Sequence, residues 1–192
     1  MGRTAGRSPQ ATRRALLDAA ADAVRARGIH ASLDDIARFA GVSKGGLIYH
    51  FASKDELIAE LARDQLAAFQ ASIDAALDPS DTAPGRLTRA YLRAAVAPAD
   101  DATVRASLSL ITQLMTVPAV AELARADAER LAAALAADGL PAEVLALVVA
   151  AADGMSTAPL WGAPTHTPAH RRLAERLLHL TRNPHLWETL TP

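Results

Sequence analysis

The tightest constraint in this chain is the punctuation between Ser32 and Leu57, SLDDIARFAGVSKGGLIYHFASKDEL. Ser32 is followed three residues later by Asp35, and Ser53 by Glu56. That spacing lets a serine oxygen and a carboxylate satisfy orphan N–H groups at a helix start. Between them Gly41 can take the left-handed turn that a residue with a Cβ resists, and Ser43 opens a further segment. The stretch therefore reads as short helices over 33–40 and 43–51, with a long one starting at Ser53. A first helix over 10–27 precedes them, with Leu16, Ala20 and Val24 four apart, and ends at Gly28. The first ten residues read as a flexible basic arm.

Beyond Glu56, Ile58, Leu61 or Ala62, Leu66, Phe69, Ile73 and Leu77 form one helical stripe. Pro79 to Gly85 reads as a polar linker, and five further helices are expected over about 84–97, 101–116, 118–138, 141–160 and 168–181. Alanine, leucine and arginine are abundant and aromatics make up only 4% of the chain, which favours helices over sheets. The expected fold is all-α, with about nine helices. It divides into an N-terminal domain over 1–55 and a helical body over 56–192.

Composition narrows the function. Cysteine is absent, so disulfides and thiolate metal sites are excluded. The longest purely apolar run, Val144 to Ala152, falls well short of the roughly 20 residues of a membrane helix. The N-terminus lacks the apolar core of a signal peptide. A soluble, cytoplasmic protein without membrane contact is the expectation. No nucleophile elbow, phosphate loop or paired carboxylates stand at motif spacing, so an enzyme is not expected, nor a cofactor. His166, His170, His179 and His185 have no carboxylate at ligand spacing and read as exposed histidines rather than a metal site.

Charge is distributed unevenly. Residues 1–54 carry nine Lys/Arg against four Asp, a net of +5, which leaves −6 for the rest of a chain whose total is −1. A basic head on an acidic body suits a protein whose head alone meets a polyanion. The helices joined by Gly41-Val42-Ser43 have the layout of a helix-turn-helix. Ile36, Ala37, Ala40, Val42 and Leu47 supply the apolar patch between them. Gly45 and Gly46 sit inside the following short helix, where each costs about 0.8–1 kcal/mol relative to alanine. The segment is either a loop or, preferably, a helix whose bare backbone approaches a surface such as the DNA major groove.

These residues carry a resemblance. Ala11 to Leu61 resembles the DNA-binding domain of TetR-family regulators, most strongly in Ile36-Ala37, Ala40-Gly41-Val42-Ser43, Tyr49-His50-Phe51, Lys54 and Leu57. The resemblance implies that Ser32, Tyr49, His50 and Lys54 grip phosphates and that Lys44 and Gly45 lie near base edges. A lysine there can donate to guanine O6 and N7. Ser43 stands at the start of the same helix and joins the candidate DNA-binding set. Arg13 and Arg14 are candidates for backbone contact, while Phe51 is expected in the core. Ile48 stands where many members carry an aromatic, which puts one polar DNA contact in doubt, and Phe39 where a smaller or polar residue is usual.

For the body, the resemblance implies a regulatory domain that dimerises through its last two long helices. The nearly all-apolar segment from Pro141 to Leu160 supports burial on most sides. Asp153 is its oddest residue and is expected to pair with an arginine. Candidate ligand-pocket residues, chosen by position, are Phe69, Tyr91, Leu110, Gln113, Leu114, Met115, Met155 and Trp161. Few charges in the central helices favour a mostly apolar effector. The expected function is a homodimeric repressor on a palindromic double-stranded operator, with half-sites roughly 34 Å apart, released by a small-molecule effector. The alternative is a DNA-binding regulator without a small ligand, controlled by a partner protein.

Overall fold

The computed structural model of the protein describes residues 8–164 and 167–188. Arg3 and Arg7 of the expected arm, and His166, lie outside them. The helices are α1 (Pro9–Arg27), α2 (Leu33–Ala40), α3 (Lys44–His50), α4 (Lys54–Ala75), α5 (Arg86–Ala95), α6 (Asp101–Leu114), α7 (Pro118–Ala136), α8 (Ala142–Thr157), α9 (Pro168–Leu180) and α10 (Pro184–Trp187), with a 3-10 turn at Ala158–Trp161 after α8. No strand occurs among the described residues, so the fold is all-α as the sequence indicated. The arm is shorter than its first ten residues. Ser8 caps α1, accepting from the Ala11 N–H at 3.2 Å, and Pro9 occupies the first turn, where a missing N–H costs nothing. The four-residue α10 was not anticipated, being too short to show periodicity.

The capping signals act as written. Ser32 and Asp35 form the full reciprocal box, and hydrogen bonds from Ser32 hold the Asp35 carboxyl below its ordinary range. At α4, Ser53 Oγ accepts from Glu56 N–H (3.1 Å), while the Glu56 carboxylate reaches back to Ala52 N–H (2.8 Å). Gly41 is left-handed, with φ 67°, and its N–H closes the end of α2.

Two compact units result, Met1–Gln65 with Ser109–Ala124, and Leu66–Leu108 with Arg125–Pro192. In the first, Leu16, Ile36, Leu47, Phe51, Leu57 and Leu61 share one buried cluster with Leu110, Leu114 and Val120 from the α6–α7 corner. In the second, Ile73, Leu92, Val144, Val148 and Leu177 are among the buried residues of a separate cluster. Helix α8 buries one face only, through Val144, Val148, Ala152 and Met155, and leaves Leu147 43% exposed. The segment Ala142–Trp161 is long and apolar enough to cross a membrane by length and composition, a test that core helices also pass.

The segment from Pro79 to Gly85 is a mostly exposed connection, as expected of a polar linker, pinned at the buried Asp81 and Gly85. Asp81 and Arg89 are buried together, with both Arg89 nitrogens Nε and Nη2 at 2.7 Å from the carboxylate. The same guanidinium donates to the carbonyls of Ala83 and Pro84. Arg89 thereby fastens this connection to α5 and answers the buried Asp81 carboxylate.

A buried pair that loses one partner leaves the other charge poorly answered, here Asp81, with Arg182 at 3.4 Å as its remaining ion-pair contact. Arg89→Met should therefore lower the unfolding free energy by about 3–5 kcal/mol, and the double variant with Asp81→Leu by less, in urea titrations. The pairing holds the Asp81 carboxyl at about 2, below its ordinary 3.8. A carboxylate lowered on folding stabilises above its unfolded pKa, so this contribution should be lost as pH falls from near 3.8 through about 2. Wild type should lose urea midpoint across that window more steeply than the double variant does.

Candidate nucleic-acid interface

Helix α3 is held from behind and open in front. Leu47 is fully buried between Ile36 and the core side chain Phe51, as expected for that phenylalanine. Ser43, Lys44, Gly45, Gly46, Ile48 and Tyr49 all face solvent. Residues 45 and 46 are helical, which settles the loop alternative against the loop. Tyr49 is 86% exposed, its ring edge-on to His50 with centroids 5.2 Å apart. The Ser43 hydroxyl accepts from Gly46 N–H at 3.1 Å, and Ser32 Oγ from Asp35 N–H at 3.1 Å, so both serines cap helices at this surface. Lys44 Nζ lies 2.8 Å from Asp34 Oδ2, an exposed pair whose partner is readily exchanged. Lys54 borders an open groove of about 570 Å³, with His30, Ile58 and Val117 among its other walls.

Arg13 and Arg14 are half-buried and exposed respectively, and both are engaged within the head. Arg13 stacks 4.3 Å above the Phe51 ring, donates to the His50 carbonyl and pairs with Glu60 at 3.1 Å. That contact holds the Glu60 carboxyl below its ordinary range. Arg14 binds Asp18 and Asp64. These contacts fasten α1 to α3 and α4. Apart from Asp18, four residues from Arg14, the partners lie tens of residues away, and sequence spacing alone did not reveal them.

The ligand candidates fall into both units. Leu110 and Leu114 are buried in the first unit's core, Met115 is exposed there, and Gln113 Oε1 stands 3.4 Å from where a Gly28 Cβ would be. In the second unit Phe69 meets Tyr91 edge-on at 5.9 Å, and the Tyr91 hydroxyl donates to Asp153. Burial, with that carboxylate, keeps the phenol protonated well above its ordinary range. Asp153 thus has an intramolecular partner, and it is a tyrosine rather than an arginine. Met155 lines a small cavity of about 50 Å³ with Val96, Val104 and His170, while Trp161 is 87% exposed. Among the described residues no group of three potential metal ligands converges.

Residues 16–61 match the bacterial regulatory proteins of the tetR family, and residues 85–182 match the tetracyclin repressor-like C-terminal domain. Solved structures agree. A TetR-like transcriptional regulator from Rhodococcus sp. RHA1 is 24% identical, with 91% of this chain and 97% of that one covered and a TM-score of 0.67. The multidrug binding protein EbrR in complex with malachite green is 29% identical over 86% of this chain and 96% of that one, TM-score 0.66. Its ethidium complex gives 26%, 89%, 99% and 0.61 for the same quantities. The chain is a helix-turn-helix protein of the all-helical regulator class. It belongs to the TetR family of transcriptional regulators.

Gly45 has a helical backbone, and a Cβ built there meets nothing within 4 Å. Nothing in the fold requires glycine at this position. Gly45→Ala should raise unfolding stability by about 0.5–1 kcal/mol, measured by urea titration. A destabilised variant would show that the bare backbone serves the protein itself.

Proposed function

We propose that this protein is a homodimeric repressor that binds a palindromic operator through α3 and leaves it when a small, mostly apolar effector binds the body. The observation that carries the reading is the open face of α3, supported from behind by the buried Leu47 and Phe51. In this reading residues 1–55 form the DNA-binding domain and 56–192 the regulatory and dimerisation domain. Ser32, Tyr49, His50 and Lys54 grip phosphates, Ser43 orients the start of α3, and Lys44 and Gly45 meet base edges. The protein then works in the cytoplasm, without catalysis.

The half-exposed apolar face of α8, with α9 beside it in the same unit, is the surface offered to a second copy. An apolar helix exposed on one side gains by burying that side. Phe69, Tyr91, Leu110, Gln113, Leu114, Met115, Met155 and Trp161 are the proposed effector-responsive set, with Phe69, Tyr91 and Met155 its most clustered members in the body. EbrR, a multidrug binding protein of this fold solved with malachite green and with ethidium, supports a small-molecule effector. Helices α4, α6 and α7 each contribute residues to both compact units, which gives an effector in the body a covalent route to the head. The partner-controlled alternative draws on one observation. The body cavities near His170 are about 50 and 160 Å³, below the usual 300–1,000 Å³ of a ligand pocket.

Fluorescence anisotropy with duplex DNA from upstream of the gene, at several salt concentrations, tests the head. Wild type should bind with a steep salt dependence, and Lys44→Ala combined with Tyr49→Phe should weaken binding at least tenfold and flatten the slope. Binding indifferent to sequence and to these changes would sink the assignment of α3. A thermal-shift screen of hydrophobic compounds tests the body. A true effector raises the melting temperature and lowers operator affinity, and Tyr91→Phe should change that response while leaving operator binding alone. Operator binding that no stabilising compound alters would favour control by a partner protein.

A further inference from the structure

The outward face of α3 is short of hydrogen-bonding side chains. Ser43 spends its hydroxyl on the Gly46 N–H, Lys44 is paired with Asp34, and residues 45 and 46 have no side chains. What the face does present is Ile48, 42% exposed, beside the strongly exposed Tyr49. Helical spacing sets Gly45, Ile48 and Tyr49 on one side at i, i+3 and i+4. The space above Gly45 is open, since a Cβ built there finds no atom within 4 Å. The face therefore offers open space over the bare backbone of Gly45 and, one turn on, a single exposed branched aliphatic side chain, on the head whose net charge is positive.

A branched aliphatic side chain offers nothing to a phosphate or to a base donor. In the major groove the apolar feature that a base edge presents is the thymine C5-methyl. Resting on the DNA-binding reading above, we infer that α3 reads a thymine 5-methyl group, seated over Gly45 against Ile48, so that each half-site carries a thymine recognised by its methyl rather than by its hydrogen bonds. Tyr49 then positions the helix, Lys44 meets a base edge as above once it leaves Asp34, and Ile48 adds discrimination at the thymine.

The test uses the full chain. Binding sequences are selected from a randomised duplex pool, and each thymine of the selected site is replaced singly by deoxyuridine, which removes the methyl and keeps every hydrogen-bonding group. At one thymine per half-site the wild type should lose about fourfold in affinity, and about fifteenfold when both half-sites are changed. Ile48→Ala should bind the thymine operator more weakly and lose most of the uracil penalty there, whereas Ile48→Val should keep it. Circular dichroism melts confirm that both variants fold, as an exposed position permits. Selection of a specific site at which no uracil replacement matters would overturn the inference and leave the DNA-binding reading intact. So would a penalty that persists unchanged in Ile48→Ala. A pool with no enriched sequence would remove the DNA-binding reading, and the inference with it.

Discussion

The helix-turn-helix of this protein has no complete core of its own. Leu16, Leu57 and Leu61 close around Leu110, Leu114 and Val120, which arrive from the α6–α7 corner half the chain away. Fully burying a leucine is worth roughly 1.5–3 kcal/mol, so these three side chains together matter on the scale of a small domain's whole stability. The corner is therefore part of the head's core. The three residues lie at or near the ends of α6 and α7, helices that continue into the second unit. A displacement of either helix must be accommodated in the core behind α3 or resisted by it, because packed interiors do not deform continuously.

Electrostatics add a second layer. The head's basic residues mostly have acidic partners among the described residues: Arg13 with Glu60, Arg14 with Asp18 and Asp64, Arg27 and Arg38 with Asp35, Lys44 with Asp34. The net charge read from sequence is real, but much of it is engaged locally. Exposed pairs of this kind are worth about 0–1 kcal/mol, so a phosphate can displace the carboxylate at little cost. Asp34 is the interesting member, because it stands at the same surface as Lys44. At 2.8 Å it keeps the lysine engaged in the free protein.

What the sequence revealed follows a physical division. Caps and turns need particular residues, so Ser32 with Asp35, Gly41, Ser43 and Ser53 with Glu56 located the helix starts and the turn to within a residue or two. Long helices were equally legible from their stripes. Packing partners were not. Leu110 and Leu114 look the same in sequence whether they line a pocket or fill a core, and the structure puts them in the core behind the helix-turn-helix. The inward roles of Arg13 and Arg14 depend on carboxylates contributed by α4. The Tyr91–Asp153 contact joins α5 to α8 across 62 residues, and only the anomaly of an aspartate on an apolar helix hinted at it.

Helix α8 shows why such anomalies matter. From sequence it is apolar almost all round, which demands burial on most sides, yet within one chain it buries only Val144, Val148, Ala152 and Met155. Among the described residues nothing covers the rest: Leu147 remains exposed, and the open side otherwise carries Glu143 and small residues such as Ala146, Ala150 and Gly154. Small residues let a second helix approach closely, and an apolar stripe gives it a reason to do so. Asp153 lies on that same side but is already engaged with Tyr91, so its charge is partly answered before a partner arrives. The Tyr91–Asp153 hydrogen bond thus ties the buried face of α5 to a carboxylate on the open side of α8.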